Sequence, residues 1–212
     1  INIPSSLQYL GSDAFSDCVS LKTDPLVFPE GFERFGQLVF SNCSSLKGQV
    51  VLPSTIKEIG VGCFFRSRIS SVILPEGLEK IGDVAFYACR LKEVWIPNSC
   101  QIISGSDTFQ QNYPLKKIRL PEGLEKIPNG FASTCWNLQE VNIPSSVKTI
   151  GHDAFDRCVS LKKIELPDGL ETIEWEAFCS CDSVEQIVFP ATLKQLGQES
   201  FCNILELKRI YC

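Results

Sequence analysis

Eleven cysteines and a single histidine are the residues of this 212-residue chain best equipped for chemistry. Cys18, Cys43, Cys89, Cys158 and Cys181 each lie three residues after a phenylalanine, and Cys135 lies four after Phe131. Stacked in register, such thiols would come about 4.8 Å apart, the spacing of adjacent strands. A thiol ladder at that distance would suit metal binding or disulfide exchange. The competing assignment is a small buried side chain of nearly apolar character, and it is the one expected here. Cys179-Ser180-Cys181 is the one closely spaced pair, whereas a zinc site wants a second pair to close its tetrahedron. An odd number of cysteines also cannot all pair within one chain.

Nucleophilic catalysis of the Cys-His or Ser-His-Asp kind would have to pass through His152. That residue follows Gly151 at a position where comparable segments carry Ser12, Gln37, Asp83 or Gln198, and in one case Trp175. These types point to a solvated place rather than a general base. Glu174 and Glu176 flank Trp175 and read as solvated carboxylates. Asn42-Cys43-Ser44 matches a glycosylation sequon, but it falls among residues expected to be buried and is read as a chance match. Phosphate-binding glycine loops, dinucleotide fingerprints and HExxH pairs are absent from the sequence. The expectation is a protein that is not an enzyme, with no cofactor and no metal.

Composition narrows the class further. A chain with 44% hydrophobic residues and this length can bury a sizeable core. A formal charge of −5 and a pI near 5.0 argue against a general nucleic-acid or anionic-membrane binder. Nothing approaches 18 consecutive apolar residues, so no membrane-inserted helix is expected. The sequence has no methionine and starts at Ile1, the mark of a processed product or an excised piece.

The elements that would position these groups are repeats. Aligned on the proline that closes an apolar segment, nine positions fall in phase: Pro4, Pro29, Pro53, Pro75, Pro97, Pro121, Pro144, Pro167 and Pro190. Phenylalanine makes a second nine-member column: Phe15, Phe40, Phe64, Phe86, Phe109, Phe131, Phe155, Phe178 and Phe201. Before each proline the chain reads apolar-x-x-apolar-x-apolar, as in LKEVWIP (91–97) and LKKIELP (161–167). Its last residues alternate with period two, the pattern of a short strand, which proline ends because it lacks an N–H. A turn follows, then a second apolar pair such as Leu78 and Ile81, then a glycine taken to mark a tight bend. The next piece, such as HDAFDRC (152–158), is long enough for one or two turns of helix. One such unit cannot bury its own apolar face, but a parallel stack of them can.

The pattern LxxIxLPxxLxxIGxxAFxxC resembles the BspA-like leucine-rich repeat, a class of bacterial and protist surface proteins. It is strongest over 69–86 and 145–178. It weakens where Cys100 replaces Leu, Ser104 replaces Gly, and a residue is inserted before Phe109. It departs again at 21–29, where Asp24-Pro25 lengthens the strand entry. Pro128 and Glu174 stand where the bend glycine is expected. The resemblance implies one domain over 1–212, an α/β right-handed solenoid of about nine repeats. It puts a parallel sheet on the concave face and short helices and turns on the convex face. The shared phase of Ile1 and Cys212, with no obviously polar capping unit, leads us to expect part of a longer array. Relatives of this kind are similar to adhesins that bind host matrix proteins or other cells. The resemblance therefore implies a cell-surface or secreted protein; a cytoplasmic one is the alternative, because many reduced thiols favour that compartment.

Function is then expected on the outward positions of the concave sheet. Two residues before each proline stand Asn2, Val27, Val51, Ile73, Trp95, Arg119, Asn142, Glu165 and Val188, with Tyr211 in phase at the end. An apolar row ending in Trp95 and rimmed by Arg119 has the composition of a protein-binding hot spot, against the plainer fact that β-branched residues suit strands. Val51, Ile73, Trp95, Lys116, Lys117, Arg119, Asn142, Lys162, Lys163 and Glu165 form the candidate partner-binding set. The expected partner is a protein, with no nucleic acid and no membrane insertion, and the chain a monomer or weakly associated end to end. A structural spacer or self-associating stalk is the alternative. A thiol- or metal-dependent enzyme is a third reading that lacks convergent ligands.

Overall fold

The computed structural model describes residues 2–212; the strand position expected for Ile1 lies outside the described residues. Seventeen short strands, β1 to β17 in chain order, run in two parallel ladders along a solenoid. The first ladder comes from the segments before the prolines. It contains β2 (Leu26–Val27), β4 (Lys47–Val51), β6 (Arg68–Ile73), β8 (Glu93–Trp95), β10 (Lys117–Arg119), β12 (Glu140–Asn142), β15 (Gln186–Val188) and β17 (Arg209–Tyr211). The second follows the prolines, as β1 (Tyr9–Leu10), β3 (Arg34–Phe35), β5 (Glu58–Ile59), β7 (Lys80–Ile81), β9 (Ile102–Ile103), β11 (Lys126–Ile127), β13 (Thr149–Ile150), β14 (Thr172–Ile173) and β16 (Gln195–Leu196). Register is one coil to the next: Arg119 lies between Trp95 and Asn142, and Ile150 between Ile127 and Ile173.

The helices expected on the remaining side are not there; among the described residues the chain forms none. The phenylalanine wall is a run of hydrogen-bonded turns instead. Each coil puts two residues four apart into the left-handed region, such as Asp13 and Asp17 (φ 59° and 58°), Val84 and Ala88, or Asp153 and Arg157. Alternate N–H groups then point out of the coil. Those of Asp13, Phe15 and Asp17 donate to the carbonyls of Gln37, Val39 and Ser41 in the next coil, while that of Ser16 closes a local turn on Asp13. A helix would spend every N–H within its own coil. Here half of them make a third inter-coil ladder, which repays the unfavourable left-handed conformation.

Inside the three walls the side chains stack by type. The phenylalanine rings lie nearly parallel from Phe15 to Phe109, with centroids 5.3–5.6 Å apart, and again from Phe155 to Phe201. Between them Phe131 meets both neighbours edge-on, at 74° and 73°. The cause is a swap. In four other coils alanine precedes the column phenylalanine, but here the order is Phe131-Ala132, and Ala132 takes the backbone place of the column: its N–H donates to Ala154, as that of Phe155 does to Ala177.

The column of bend glycines has a different cause from the one its sequence suggested. Gly36, Gly60, Gly82, Gly151 and Gly197 do not have positive φ; they are where successive backbones touch. A Cβ on Gly82 would lie 2.6 Å from the nitrogen of Val61. The N–H at this position reaches back one coil, from Gly82 to Ile59 and from Gly151 to Ile127. Ser104 and Glu174 keep that bond, to Ile81 and Ile150. Pro128 has no N–H to give, and it is there that the post-proline ladder divides, between β9 and β11.

The turn after each proline alternates strictly between a glycine type and a hydroxyl type: Glu30-Gly31, Ser54-Thr55, Glu76-Gly77, Asn98-Ser99, Glu122-Gly123, Ser145-Ser146. Gly77 N–H donates to Ser99 Oγ at 3.0 Å, and that hydroxyl donates to Leu78 O at 2.7 Å. The same clasp joins Gly31 to Thr55 and Gly123 to Ser146. Coils are therefore coupled in pairs at this corner.

Candidate functional site

The cysteine column is a hydrogen-bonding device. Cys43, Cys89, Cys135 and Cys181 place their thiols 3.1–3.4 Å from the carbonyls of Phe15, Phe64, Phe109 and Phe155, each the column phenylalanine of the preceding coil. Cys158 reaches Ala132, which fits the swap described above. Ser67 and Asn112 occupy the same column, and both are buried polar residues. Asn112 donates to Phe86 and Phe109, both at 2.8 Å, and accepts from the Leu91 N–H. The column thus calls for a small donor as well as for a small apolar volume.

Burial holds these thiols protonated. Desolvation pushes Cys43 up to about 11 and Cys89, Cys100 and Cys135 up to about 12, and it also raises Cys63, Cys158 and Cys181 well above the ordinary thiol value. A thiolate is the nucleophile and the metal ligand, so the buried thiols of the ladder suit neither role; Cys18, expected to be buried with them, is exposed in the first coil. Among the described residues no cluster of three His, Cys, Asp or Glu side chains could hold a metal ion.

Two cysteines do pair. Cys179 and Cys202 each follow the column phenylalanine directly, in adjacent coils, and form a disulfide across a Cα separation of 4.6 Å. Their 23-residue separation, one repeat, was the available signal in the sequence. His152 is half-buried rather than free in solvent. Its ring stacks on Trp175 at 4.8 Å, and Nδ1 lies 3.2 Å from Asp153 Oδ2.

The pre-proline face carries the sequence-derived set. Val27, Ile73 and Trp95 stand outward and about half exposed or more, while Val51 between them is half-buried. The Arg119 guanidinium lies 5.9 Å from the centre of the Trp95 ring, within cation–π range. Trp95 and Arg119 rim a hollow of about 240 Å³ lined also by Leu74, Glu76, Ile96, Pro97 and Asn98. Lys116 and Lys117 are exposed beside them, and Lys117 is held by Glu140 at 2.9 Å. That pairing raises the lysine's pKa, mainly through the hydrogen bond.

Asn142 is exposed but spoken for, because its Oδ1 accepts from the Leu120 N–H at 2.9 Å and ties two coils together. Lys162, Lys163 and Glu165 are set apart from the rest. The segment 161–166 forms no strand, so the ladder lapses between β12 and β15, as it also does between β6 and β8, and Lys163 pairs with Glu165 on its own segment. Two hollows flank the lapse. One, of about 280 Å³, is lined by Gln139, Glu140, Val141, Asn142, Lys163 and Glu165. The other, of about 540 Å³, is lined by Lys162, Lys163, Ser183, Glu185, Gln186, Glu206 and Arg209.

No helix of the described residues is long and apolar enough to cross a membrane. No curated protein matches the chain in sequence. Among solved structures, it is similar to a leucine-rich repeat protein from Bacteroides ovatus, with 26% identity and a TM-score of 0.64 over 99% of this chain and 71% of that one. A leucine-rich repeat protein from Eubacterium ventriosum shares the fold at 21% identity and a TM-score of 0.71, covering 91% of this chain and 67% of the other. So does the pneumococcal vaccine antigen PcpA, at 21% identity and a TM-score of 0.60, where the match spans 98% of this chain and 60% of the antigen. The model of the BspA type leucine-rich repeat region matches residues 1–112, 48–158 and 103–212, which together cover the whole sequence. The chain belongs to the BspA-type leucine-rich repeat family.

Proposed function

We propose that this chain is a protein-binding module that holds its partner against the pre-proline sheet, the concave side of a leucine-rich-repeat solenoid, and that it works at the cell surface or outside the cell. The observation that carries the reading is the Trp95–Arg119 pair. A large aromatic, 60% exposed and capped by an unpaired guanidinium, stands at the end of the apolar row formed by Val27, Val51 and Ile73. Tryptophan and arginine are the side chains most often found to dominate binding energy, and a spacer that touched nothing would have no use for them there.

Two further features support it. Membership of a family of repeat scaffolds favours binding over catalysis, and burial leaves the column thiols such as Cys89 and Cys135 unsuited to act as nucleophiles. The Cys179–Cys202 disulfide is a bond that oxidising surroundings allow to persist. The test is capture of partners from a cell-surface or extracellular-matrix extract by the wild-type chain and by Trp95→Ala and Arg119→Ala. Partners retained by the wild type and lost by both variants support the reading; partners retained equally by all three would end it.

A further inference from the structure

The pre-proline face sorts its charge. Along β6 Arg68 is the one exposed charge, and at the outward positions from Lys92 onward eight cations stand against four carboxylates. Three lysines there are neutralised, Lys117 by Glu140, Lys163 by Glu165 and Lys208 by Glu185. Lys92, Lys116, Arg119, Lys162 and Arg209 have no carboxylate within 4.0 Å among the described residues, against one unpaired outward carboxylate, Glu93. This excess of positive charge sits on a chain whose net charge is −5, so the rest of the molecule is more acidic than the total suggests. Exposed cations left unpaired beside an exposed apolar row are what a complementary partner would satisfy.

Resting on the reading of this face as the partner site, we propose that the partner presents an acidic polypeptide segment in extended form. Its apolar side chains lie over Ile73 and Trp95, and its carboxylates run along Arg119 and Lys116 toward Lys162 and Arg209. Five coil steps separate Trp95 from Tyr211 beside Arg209, roughly 24 Å at strand spacing, which about seven extended residues span. Charge alone would also suit a sulfated glycan or a nucleic acid. A sulfated glycan offers nothing apolar to Ile73 and Trp95, and a nucleic acid, though its bases could stack on Trp95, carries a phosphate on every unit. They would also meet Glu93, Glu140, Glu165 and Glu185 interleaved among the cations. A polypeptide can place acid and apolar groups separately, and so matches both halves of the face.

The experiment measures fluorescence anisotropy of labelled random copolymers against the folded chain across a salt titration. The probes are poly(Glu,Tyr), poly(Glu), poly(Ala,Tyr) and heparin. The expected result is that poly(Glu,Tyr) binds best, weakens steadily with added salt, and loses about tenfold in affinity in Trp95→Ala. The charge reversals Lys116→Glu with Arg119→Glu, and separately Lys162→Glu, should each weaken it, with thermal melts showing that the variants fold. The proposal is overturned if heparin binds as tightly as poly(Glu,Tyr) in a manner indifferent to Trp95, if charge reversal changes nothing, or if poly(Glu,Tyr) does not bind. Trp95-dependent binding of poly(Ala,Tyr) in preference would sink the acidic segment while leaving the face as a partner site. Indifference of every probe and every captured partner to Trp95 would sink both.

Discussion

On the post-proline face four ion pairs join outward side chains from coil to coil, and the charges left over among the described residues, Glu33, Arg34, Glu125 and Lys148, balance. On the pre-proline face, built from the same coils, five unpaired cations stand against one unpaired carboxylate. Lys57 meets Glu79 at 3.1 Å, Lys80 meets Glu58 at 2.8 Å, Lys126 meets Glu174 at 3.0 Å and Lys194 meets Glu171 at 2.8 Å, all across coils of the post-proline side. The last pairing lowers the Glu171 pKa through its hydrogen bond to Lys194. Exposed pairs of this kind add little to stability, but they leave the paired groups with little charge to offer. The other face keeps Trp95 and five cations unsatisfied. Since both faces rest on one core, the difference lies in the variable outward positions, and that is where a binding role would be written.

The comparison would break most completely if the shared core failed under one face. Asn112 is the place to try it. It sits in the coil that leads into Lys116, Lys117 and Arg119, close to where the post-proline ladder divides at Pro128. Asn112→Ala would orphan the Leu91 N–H and the bonds to two buried carbonyls. A loss of about 3 kcal/mol is expected from the desolvated groups left behind, read in chemical denaturation. Asn112→Cys should recover part of it, because the column elsewhere uses a thiol for the same carbonyl. Equal stability of all three proteins would show that the column needs volume and not a donor.

Trp95→Ala sharpens the contrast at the surface. It should weaken partner binding about tenfold or more while changing stability by less than about 0.5 kcal/mol, the usual range for exposed substitutions. Ile102→Ala, at the equally exposed outward place on the post-proline face, should leave binding unchanged. If the two variants weakened the same partner alike, the faces would not differ in function.

Much of this frame was legible in the sequence, because repetition multiplies a weak signal. Each strand is only two to six residues long, and no single one would stand out. Nine prolines in phase made them certain. The missing helices were not legible. HDAFDRC has a helical length and an acidic first turn, but the choice between helix and left-handed turns is made by the neighbouring coil, whose carbonyls take the N–H groups of Asp13, Phe15 and Asp17. The Phe131-Ala132 swap was visible as Cys135 falling four residues after the phenylalanine, and needed only the cysteine column to be trusted over the phenylalanine one. The glycine column showed its positions and hid its reason, since close backbone approach is a property of two coils. The outward set could be listed, yet Asn142's bond to Leu120 and the lapse at 161–166 depend on what lies across the coil.

Asp156 tests the comparison from the turn wall, outside both faces. Burial, with Asp153 and Glu176 nearby adding to it, pushes its carboxyl up to about 6, against an unperturbed 3.8. Arg157, 3.7 Å away, opposes the shift. A carboxyl raised on folding binds its proton more tightly in the native state, so this residue destabilises the fold above pH 6 and ceases to do so as pH falls toward 4. Asp156→Asn should therefore stabilise the protein at neutral pH by about 1 kcal/mol, allowing for solvent screening. It should also flatten the change in melting temperature between pH 6 and pH 4. Partner binding on the pre-proline face should not respond. A pH-dependence of melting that is the same in the variant would remove Asp156 from the account.

The smallest effect belongs to the ion pairs that distinguish the faces. A double-mutant cycle on Lys57 and Glu79, read by thermal melts, should give a coupling of about 0.3 kcal/mol that vanishes in high salt. Both side chains are more than half exposed, so each gains little from the other that water does not already supply. The value of the pair lies in what it removes: with Lys57 and Glu79 occupied, a charged partner finds no free counter-charge there. Lys57→Ala alone should then do more to attract a basic probe than to unfold the chain, because it exposes Glu79 on a surface that is otherwise balanced. A coupling above about 1 kcal/mol would mean that the post-proline pairs hold the solenoid together, and that this face is quiet because it is structural rather than because its charges cancel.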